Sequence, residues 1–381
     1  MLSIIYDNEQ DNLFKLFCKE YSGEYTLTKR EKYITSKGMS NHIINISKLL
    51  ITVTSDYKKI KNYCFDGTYF EEYISGSLDG ANYGEISYLN LLYKVLNEGD
   101  KRETRNGITR SIFHANLSFD LSKGFPLLTT KAMFFRGIVE ETLMFLRGET
   151  NTETLSEKGI KIWEGNTEEN YLRSIGLKLK ERDMGPMYGF QFYHYGEEYI
   201  SSEGKYQGYN QIDYVINVIK NDPTSRRILM TSFNPKQAKE GCLYPCHSII
   251  LQFYVEKDNK LSLICYNRSQ DLFLGVPWNI SYAALFVHLI CEFINDDRRK
   301  EEKLSPGMLY IDMGDVHIYE DHIDNCIEQL IRIPYNFPIL TINQTTERFT
   351  SFKDFVISLK YEYFNLAEYK SHSSIKSIMI V

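Results

Sequence analysis

The sequence predicts an α/β fold of the mixed α+β kind, a large β-sheet covered by helices. Three observations predict it. Residues 243–282 hold two apolar, strand-like runs, LYPCHSIILQFYV and LSLICYNRSQDLFLGVPWNISY, on either side of the turn EKDNK, which is a hairpin pattern. The residues after Arg105-Asn106-Gly107 alternate as a strand does. Residues 85–97, 131–147 and 211–221 carry apolar side chains at helical spacing.

In chain order, residues 1–82 form a region of their own. Glu9–Tyr21 is expected to be a helix with an apolar stripe of Leu13, Phe14, Leu16 and Phe17. Lys48–Thr54 is expected to be a strand, and SGSLDGANYG a turn. No chemical motif occurs here, so an accessory extension is expected. Residues 83–381 form the second region. Glu85–Asn97 reads as a helix on Ile86, Leu89, Leu92, Tyr93 and Leu96. The Arg105-Asn106-Gly107 turn can wrap an anion, although a solvated arginine is the commoner case. Lys131–Arg147 reads as a helix stopped by Gly148. Glu140 and Glu141 sit in its middle, and periodicity favours a helix-flank position for the one nearer the apolar face.

Residues 151–183 read as helix, loop and exposed connection around Trp163. Met184–Phe192 is a tight glycine-bearing segment that holds Tyr188. Gln211–Asn221 is expected to be a helix, followed by the turn DPTS, Arg226-Arg227 and the strand ILMTSFNP. Two adjacent arginines entering a strand point to opposite faces, so one salt-bridged and one functional arginine is one expectation, and a solvated pair is the bland alternative. Ser281–Ile294 is apolar but too short to span a bilayer, and carries His288 and Glu292; a buried core helix is expected. Met308–Tyr319 reads as a strand with His317 and Tyr319 on one face. Asp321–Ile333 follows as a helix. The last strands are expected at Ile339–Asn343 and Ser377–Val381. The mixed-sign run DDRRKEEK is expected to be a solvated loop.

The 381 residues and 43% hydrophobic content suffice for two domains or one large one with an extension. A net charge of −6 argues against nucleic acid as the main partner. Seven cysteines without regular spacing argue against a disulfide framework and for a reducing compartment. Acidic residues precede any adequate apolar run at the N-terminus, so no secretory signal is expected. A cytoplasmic protein without membrane contact is the expectation.

The chemistry concentrates at Pro245-Cys246-His247 and Arg268-Ser269-Gln270-Asp271. Pairing the two strands brings Cys246 and Arg268 to one end of a hairpin. An arginine near a thiol favours the nucleophilic thiolate. An anion on the arginine and an electrophilic ring or carbonyl carbon at the sulfur make a phosphorylated substrate the expectation. A buried structural cysteine is the bland alternative.

Nine motifs then occur in one order: TRNG, FPLLTTK, EETLMFLRGETN, IW, DMGPMYGFQ, SRRI, YPCH, NRSQDLFLGVPWNI and GDVHIY. From about Tyr83 to Val381 the chain resembles the folate-dependent thymidylate synthases, closest to the eukaryotic type, with an insertion between Trp163 and Asp183. Residues 1–82 lie outside the resemblance. It implies the thymidylate synthase-like fold, a sheet-to-sheet homodimer and no metal. It implies that Cys246 adds to C6 of dUMP and that C5 takes the methylene of 5,10-methylenetetrahydrofolate. Hydride return from the folate then gives dTMP and dihydrofolate.

The resemblance also distributes roles. Arg105, Arg268, Ser269 and the adjoining Gln270 and Asp271 fall to dUMP, with Arg226 and Arg227 donated by the partner subunit of an obligate dimer. Asn279 falls to the pyrimidine edge, His317 and Tyr319 to the ribose 3′-hydroxyl. Glu141 becomes an inward carboxylate assisting proton transfer, against the flank reading, and Tyr188 a group near C5. Trp163, Asp271, Gly275 and the terminal Val381 fall to the folate. Tyr244, Asn267, Trp278, Thr104 and Glu140 depart from the residues usual in the family. A hydroxymethylase on the same fold is the nearest rival, and Asn279 favours dUMP over dCMP. A non-catalytic RNA-binding protein would tolerate loss of Cys246, which is present. A zinc site at Cys242, Cys246 and His247 lacks a distal ligand pair. Eighty-two residues and no matching motif give no expectation of reductase activity in residues 1–82.

Overall fold

Alternating apolar residues along four long segments pair into the sheet that organises this chain. In the computed structural model the strands are β5 (Asp100–Thr104), β6 (Gly107–Asp120), β7 (Leu229–Thr231), β8 (Ile250–Val255), β9 (Lys260–Asp271) and β10 (Ser305–Tyr319), in the order β5-β6-β10-β9-β8-β7. Only β10 and β9 run parallel; the other neighbours are antiparallel. The structure describes residues 82–330, 332, 334–343, 347–378 and 380, together with the backbone of four N-terminal strands. Those strands, β1 (Leu2–Tyr6), β2 (Tyr25–Lys29), β3 (Leu49–Ser55) and β4 (Lys59–Cys64), form a separate sheet ordered β2-β1-β3-β4. The strand expected at Lys48–Thr54 is β3. The helix expected at Glu9–Tyr21 and the residue Val381 lie outside the described residues.

The helices are α1 (Tyr83–Glu98), which packs on β6 and β10; α2 (Phe135–Leu146); α3 (Gly189–His194) and α4 (Gln211–Asn221), which both contact β7; α5 (Gly275–Asn295); α6 (Ile323–Leu330), which packs on α1; and α7 (Phe352–Ser358), which packs on α2. α5 lies against β9, β10 and α2. By length and composition α5 could cross a membrane, but most of its side chains are buried among the protein's own. That is the core helix expected from the sequence, begun earlier than expected.

Several boundaries differ from expectation, and each difference has a local cause. The second apolar run does not stay extended to Tyr282. Asp271 Oδ1 accepts the main-chain N–H of Phe273 at 2.9 Å and of Leu274 at 3.2 Å, which ends β9. α5 then starts at Gly275 with Pro277 in its first turn, where a missing N–H is tolerated. The first run is extended only from Ile250; Pro245 has no N–H to pair, and Ser248 has a positive φ of 51°. The strand expected at ILMTSFNP shrinks to Leu229–Thr231. The helix expected from Lys131 starts at Phe135, because Thr129, Thr130 and Lys131 make other contacts. Lys131 Nζ donates to the Phe273 carbonyl and lies 3.7 Å from the centre of the Phe273 ring. α2 ends where expected, before Gly148 at φ 77°. β11 (Ile339–Ile342) pairs with β12 (Phe364–Ala367), not with a strand at 377–381; Ser377, Ile378 and Ile380 are not extended in a sheet.

Thr129 and Thr130 are held by Glu85, in the first turn of α1. Its fully buried carboxylate accepts both main-chain N–H groups, at 2.8 and 2.6 Å, and both hydroxyls, at 2.6 and 2.7 Å. Burial raises its pKa, and the threonine hydrogen bonds work against that rise. Glu85→Ala removes the acceptor for two buried N–H groups. Loss of one buried acceptor typically costs about 1–3 kcal/mol, so a loss of about 3 kcal/mol or more is expected, read as a lower denaturation midpoint. Glu85→Gln keeps one acceptor oxygen and is expected to lose less.

Candidate active site

The chain folds its reactive residues to the C-terminal ends of the parallel pair β9 and β10. Arg268, Ser269, Gln270 and Asp271 close β9. His317 and Tyr319 close β10, His317 in register with Asp271 and Tyr319 two residues beyond it. The Arg105-Asn106 turn joins β5 to β6 beside them, because Thr109 of β6 pairs with Tyr319. The hairpin brings Cys246 back to the same end: Arg268 N donates to the Cys246 carbonyl at 3.0 Å and Ser269 N at 3.4 Å. This is the Cys246–Arg268 juxtaposition expected from the sequence. Asn267, a departure from the usual glutamine, shapes the same loop, its Oδ1 accepting from Ser248 N at 2.7 Å.

The sulfur's electrostatics differ from expectation. Burial pushes the Cys246 thiol above its usual range. The hydrogen bond from Tyr188, with its hydroxyl 3.7 Å from Sγ, and the Arg268 charge favour the thiolate but do not outweigh burial. The expected direction of the Arg268 effect is present, but the net shift is opposite. The positive φ of 33° at Tyr188 turns the chain into α3 and puts the buried phenol on Cys246. Burial, then the nearby Cys246, keeps that phenol protonated. The His247 ring stacks on Tyr188 at 4.2 Å. Burial lowers the His247 pKa to about 3, so this imidazole is neutral.

Glu141 is buried in α2, against the flank reading from periodicity. Its two oxygens accept the indole N–H of Trp163 at 2.7 Å and of Trp278 at 2.5 Å. Burial raises its pKa to about 7, with the Trp278 and Trp163 hydrogen bonds working against the rise. The neighbouring Glu140 is the ion-paired one, 2.6 Å from Lys158 Nζ. Both tryptophans of the chain thus grip one carboxylate. Trp278, singled out in the sequence only as a departure from phenylalanine, is a site residue that the reading missed.

Asn279, in the first turns of α5, donates from Nδ2 to Gln270 Oε1 at 2.9 Å. Its Oδ1 and second N–H remain to read a ligand edge. His317 Nδ1 lies 2.8 Å from Asp315 Oδ1, which fixes the ring beside Tyr319, the two ring centres 5.3 Å apart. Asp315 was also missed, although its spacing of two from His317 was a usable signal. Burial, then the nearby Asp271 charge, raises the Tyr319 pKa, with the Asn106 side chain working against the rise.

Arg105 lies with Arg268 and Tyr244 along a cleft of about 490 Å³. Gly275 opens α5. Arg226 and Arg227 are both exposed before β7, and neither has a salt bridge among the described residues. Of the two readings left open by the sequence, the solvated pair is the one these exposed side chains fit. They lie on the far edge of the sheet from Arg105. Among the described residues no group of three or more His, Cys, Asp and Glu side chains is arranged to hold a metal ion. Cys242 points instead to the Met187 sulfur at 3.7 Å.

Residues 86–381 match the family described as thymidylate synthase. A bifunctional dihydrofolate reductase-thymidylate synthase of Paramecium tetraurelia is 42% identical over 301 residues, 78% of this chain and 61% of that protein. One of Zea mays is 41% identical over 301 residues, 78% of this chain and 54% of that protein. The Encephalitozoon cuniculi protein called thymidylate synthase 1/2 is 40% identical over 299 residues, 77% of this chain and 97% of that protein. The chain thus spans between half and two thirds of the length of these two bifunctional relatives.

Proposed function

This chain belongs to the thymidylate synthase family, and on that premise we propose that it converts dUMP to dTMP, a methyltransferase reaction supplying a DNA precursor. The observation that carries the reading is the convergence of one half-buried thiol, a phenol, a buried carboxylate near pKa 7 and fixed arginines at one end of the sheet. 5,10-Methylenetetrahydrofolate, the second substrate, supplies the one-carbon unit and the hydride.

The chain's own groups do the rest. Arg105, Arg268 and Ser269 hold the phosphate, because guanidinium presents paired donors to a dianion. Asn279, steadied by Gln270, gives and accepts one hydrogen bond at the uracil edge. His317, fixed by Asp315, and Tyr319 hold the 3′-hydroxyl. Cys246 Sγ forms a bond to C6, which places carbanion character on C5 and divides a hard substitution into easier steps. The deprotonation this needs is drawn from a thiol with a raised pKa, so phosphate-bound Arg268 and the Tyr188 hydroxyl are the groups that assist it. Glu141 holds or releases a proton beside the pyrimidine near neutral pH. Trp163, Asp271 and Gly275 face the folate, and Val381 closes over it, excluding water.

A homodimer fits the uncovered face of the sheet. Ile250 and Tyr254 of β8, Ile264 and Tyr266 of β9 and Tyr310 of β10 all point out from it, Tyr254 being 62% exposed. An apolar surface of this kind suits a second copy packed sheet to sheet. Arg226 and Arg227, at the rim of that face, then enter the partner's phosphate site. The free cysteines suit a cytoplasmic setting.

The experiment is product analysis after incubation with dUMP and the folate. dTMP with dihydrofolate is expected. 5-Hydroxymethyl-dUMP with tetrahydrofolate would instead mark the hydroxymethylase. Mixing Cys246→Ala subunits with Arg226→Glu/Arg227→Glu subunits, each inactive alone, is expected to restore about a quarter of the sites through hybrid dimers. No recovery after subunit exchange would contradict the shared site.

A further inference from the structure

Tyr244 stands two residues before Cys246, where the resemblance leads one to expect a small residue or proline. Its ring is 44% exposed and lies under the Arg268 guanidinium, whose carbon is 4.8 Å from the ring centre. Phe233 backs the ring at 5.9 Å. Arg268 is also held along one edge: Nε donates to the Pro245 carbonyl at 2.7 Å, and a terminal nitrogen donates to the Tyr244 carbonyl at 3.0 Å. A guanidinium has five N–H donors. Two are taken by these carbonyls, and three stay available for an oxyanion. Tyr244, Arg268 and Arg105 border the same cleft.

An unsupported arginine must give up rotamer freedom when it grips an anion, and support in advance removes that loss from binding. The two carbonyls fix the edge of the fork. They do not fix its tilt about that edge; the ring face does, through cation–π attraction. We propose that Tyr244 is a positioning residue for the nucleotide phosphate, acting through Arg268. The proposal rests on the reading of this cleft as the dUMP phosphate site.

The test compares wild type, Tyr244→Ala and Tyr244→Phe by calorimetric titration with dUMP and with deoxyuridine, which lacks the phosphate. Tyr244→Ala is expected to weaken dUMP binding about 3- to 20-fold, the range of a partly desolvated cation–π contact. Deoxyuridine binding is expected to stay within about twofold, since no phosphate is present to feel Arg268. Tyr244→Phe keeps the ring and is expected to retain wild-type affinity. In steady state the loss falls on KM for dUMP and not on kcat. Unchanged dUMP affinity in Tyr244→Ala overturns the proposal, as does an equal loss for deoxyuridine, which would mark a merely structural residue. Wild-type protein that binds dUMP but forms no dTMP overturns the proposed reaction alone, because the binding comparison still decides the role of Tyr244. Wild-type protein that binds no dUMP overturns both.

Discussion

Cys246→Ala is expected to abolish dTMP formation, by about 10⁴-fold or more, while leaving a folded protein that still binds dUMP. The loss is large because no second cysteine among the described residues is placed to replace Cys246. Cys242 is buried against Met187, and burial pushes its thiol far above the usual range. The fold survives because the loop is held through the main chain. Arg268 and Ser269 N–H groups bind the residue-246 carbonyl, and Arg268 binds the Pro245 carbonyl, whatever the side chain is. Turnover and dUMP titration, run on the same preparation, check both halves. Retained turnover would mean that the sulfur is structural.

Glu141→Gln is expected to lower kcat by about 10²- to 10³-fold, the usual scale for a positioned proton-transfer group. It also has a signature in stability that a purely catalytic residue would lack. Burial raises the folded-state pKa from 4.5 to about 7. Between those values the folded protein binds the extra proton, so its stability falls as pH rises. The penalty is absent below about pH 4.5 and complete above about pH 7, on the order of 3 kcal/mol in all. Glutamine does not titrate. Wild type is therefore expected to lose stability from pH 5 to 8 more steeply than Glu141→Gln, with the two curves diverging as pH rises. Parallel curves would mean that Glu141 is not a buried neutral-range acid. Diverging curves would mean that wild type keeps a costly carboxyl between two indoles for a catalytic reason.

How much of this was legible in the sequence depended on whether the signal was local. α4 and α1 matched their 3.6-residue patterns almost to the residue, because helices packed on one face report that face directly. The Cys246–Arg268 approach was legible because a hairpin turn fixes which residues meet. The start of α2 was not, because Glu85, 44 residues upstream, takes the N–H of Thr129 and holds the chain out of the helix. The inward turn of Glu141 was not legible in the helical periodicity and came only from the family resemblance, since its acceptors are satisfied by Trp163 and Trp278, 22 and 137 positions away. Periodicity sees a helix face but not the partners that make burying a charge tolerable. The net rise of the Cys246 pKa was likewise hidden: a neighbouring arginine can be inferred from pairing, but enclosure of the sulfur cannot.

The measurement that bears most directly on the central claim is tritium release from 5-tritiated dUMP in the presence of methylenetetrahydrofolate, with Cys246→Ala protein alongside. Bonding of sulfur to C6 is what loosens the hydrogen on C5. Release by wild type, matched by dTMP and absent from Cys246→Ala, is the predicted result. Release that persists without Cys246, or no release from wild type that binds dUMP, would contradict the account.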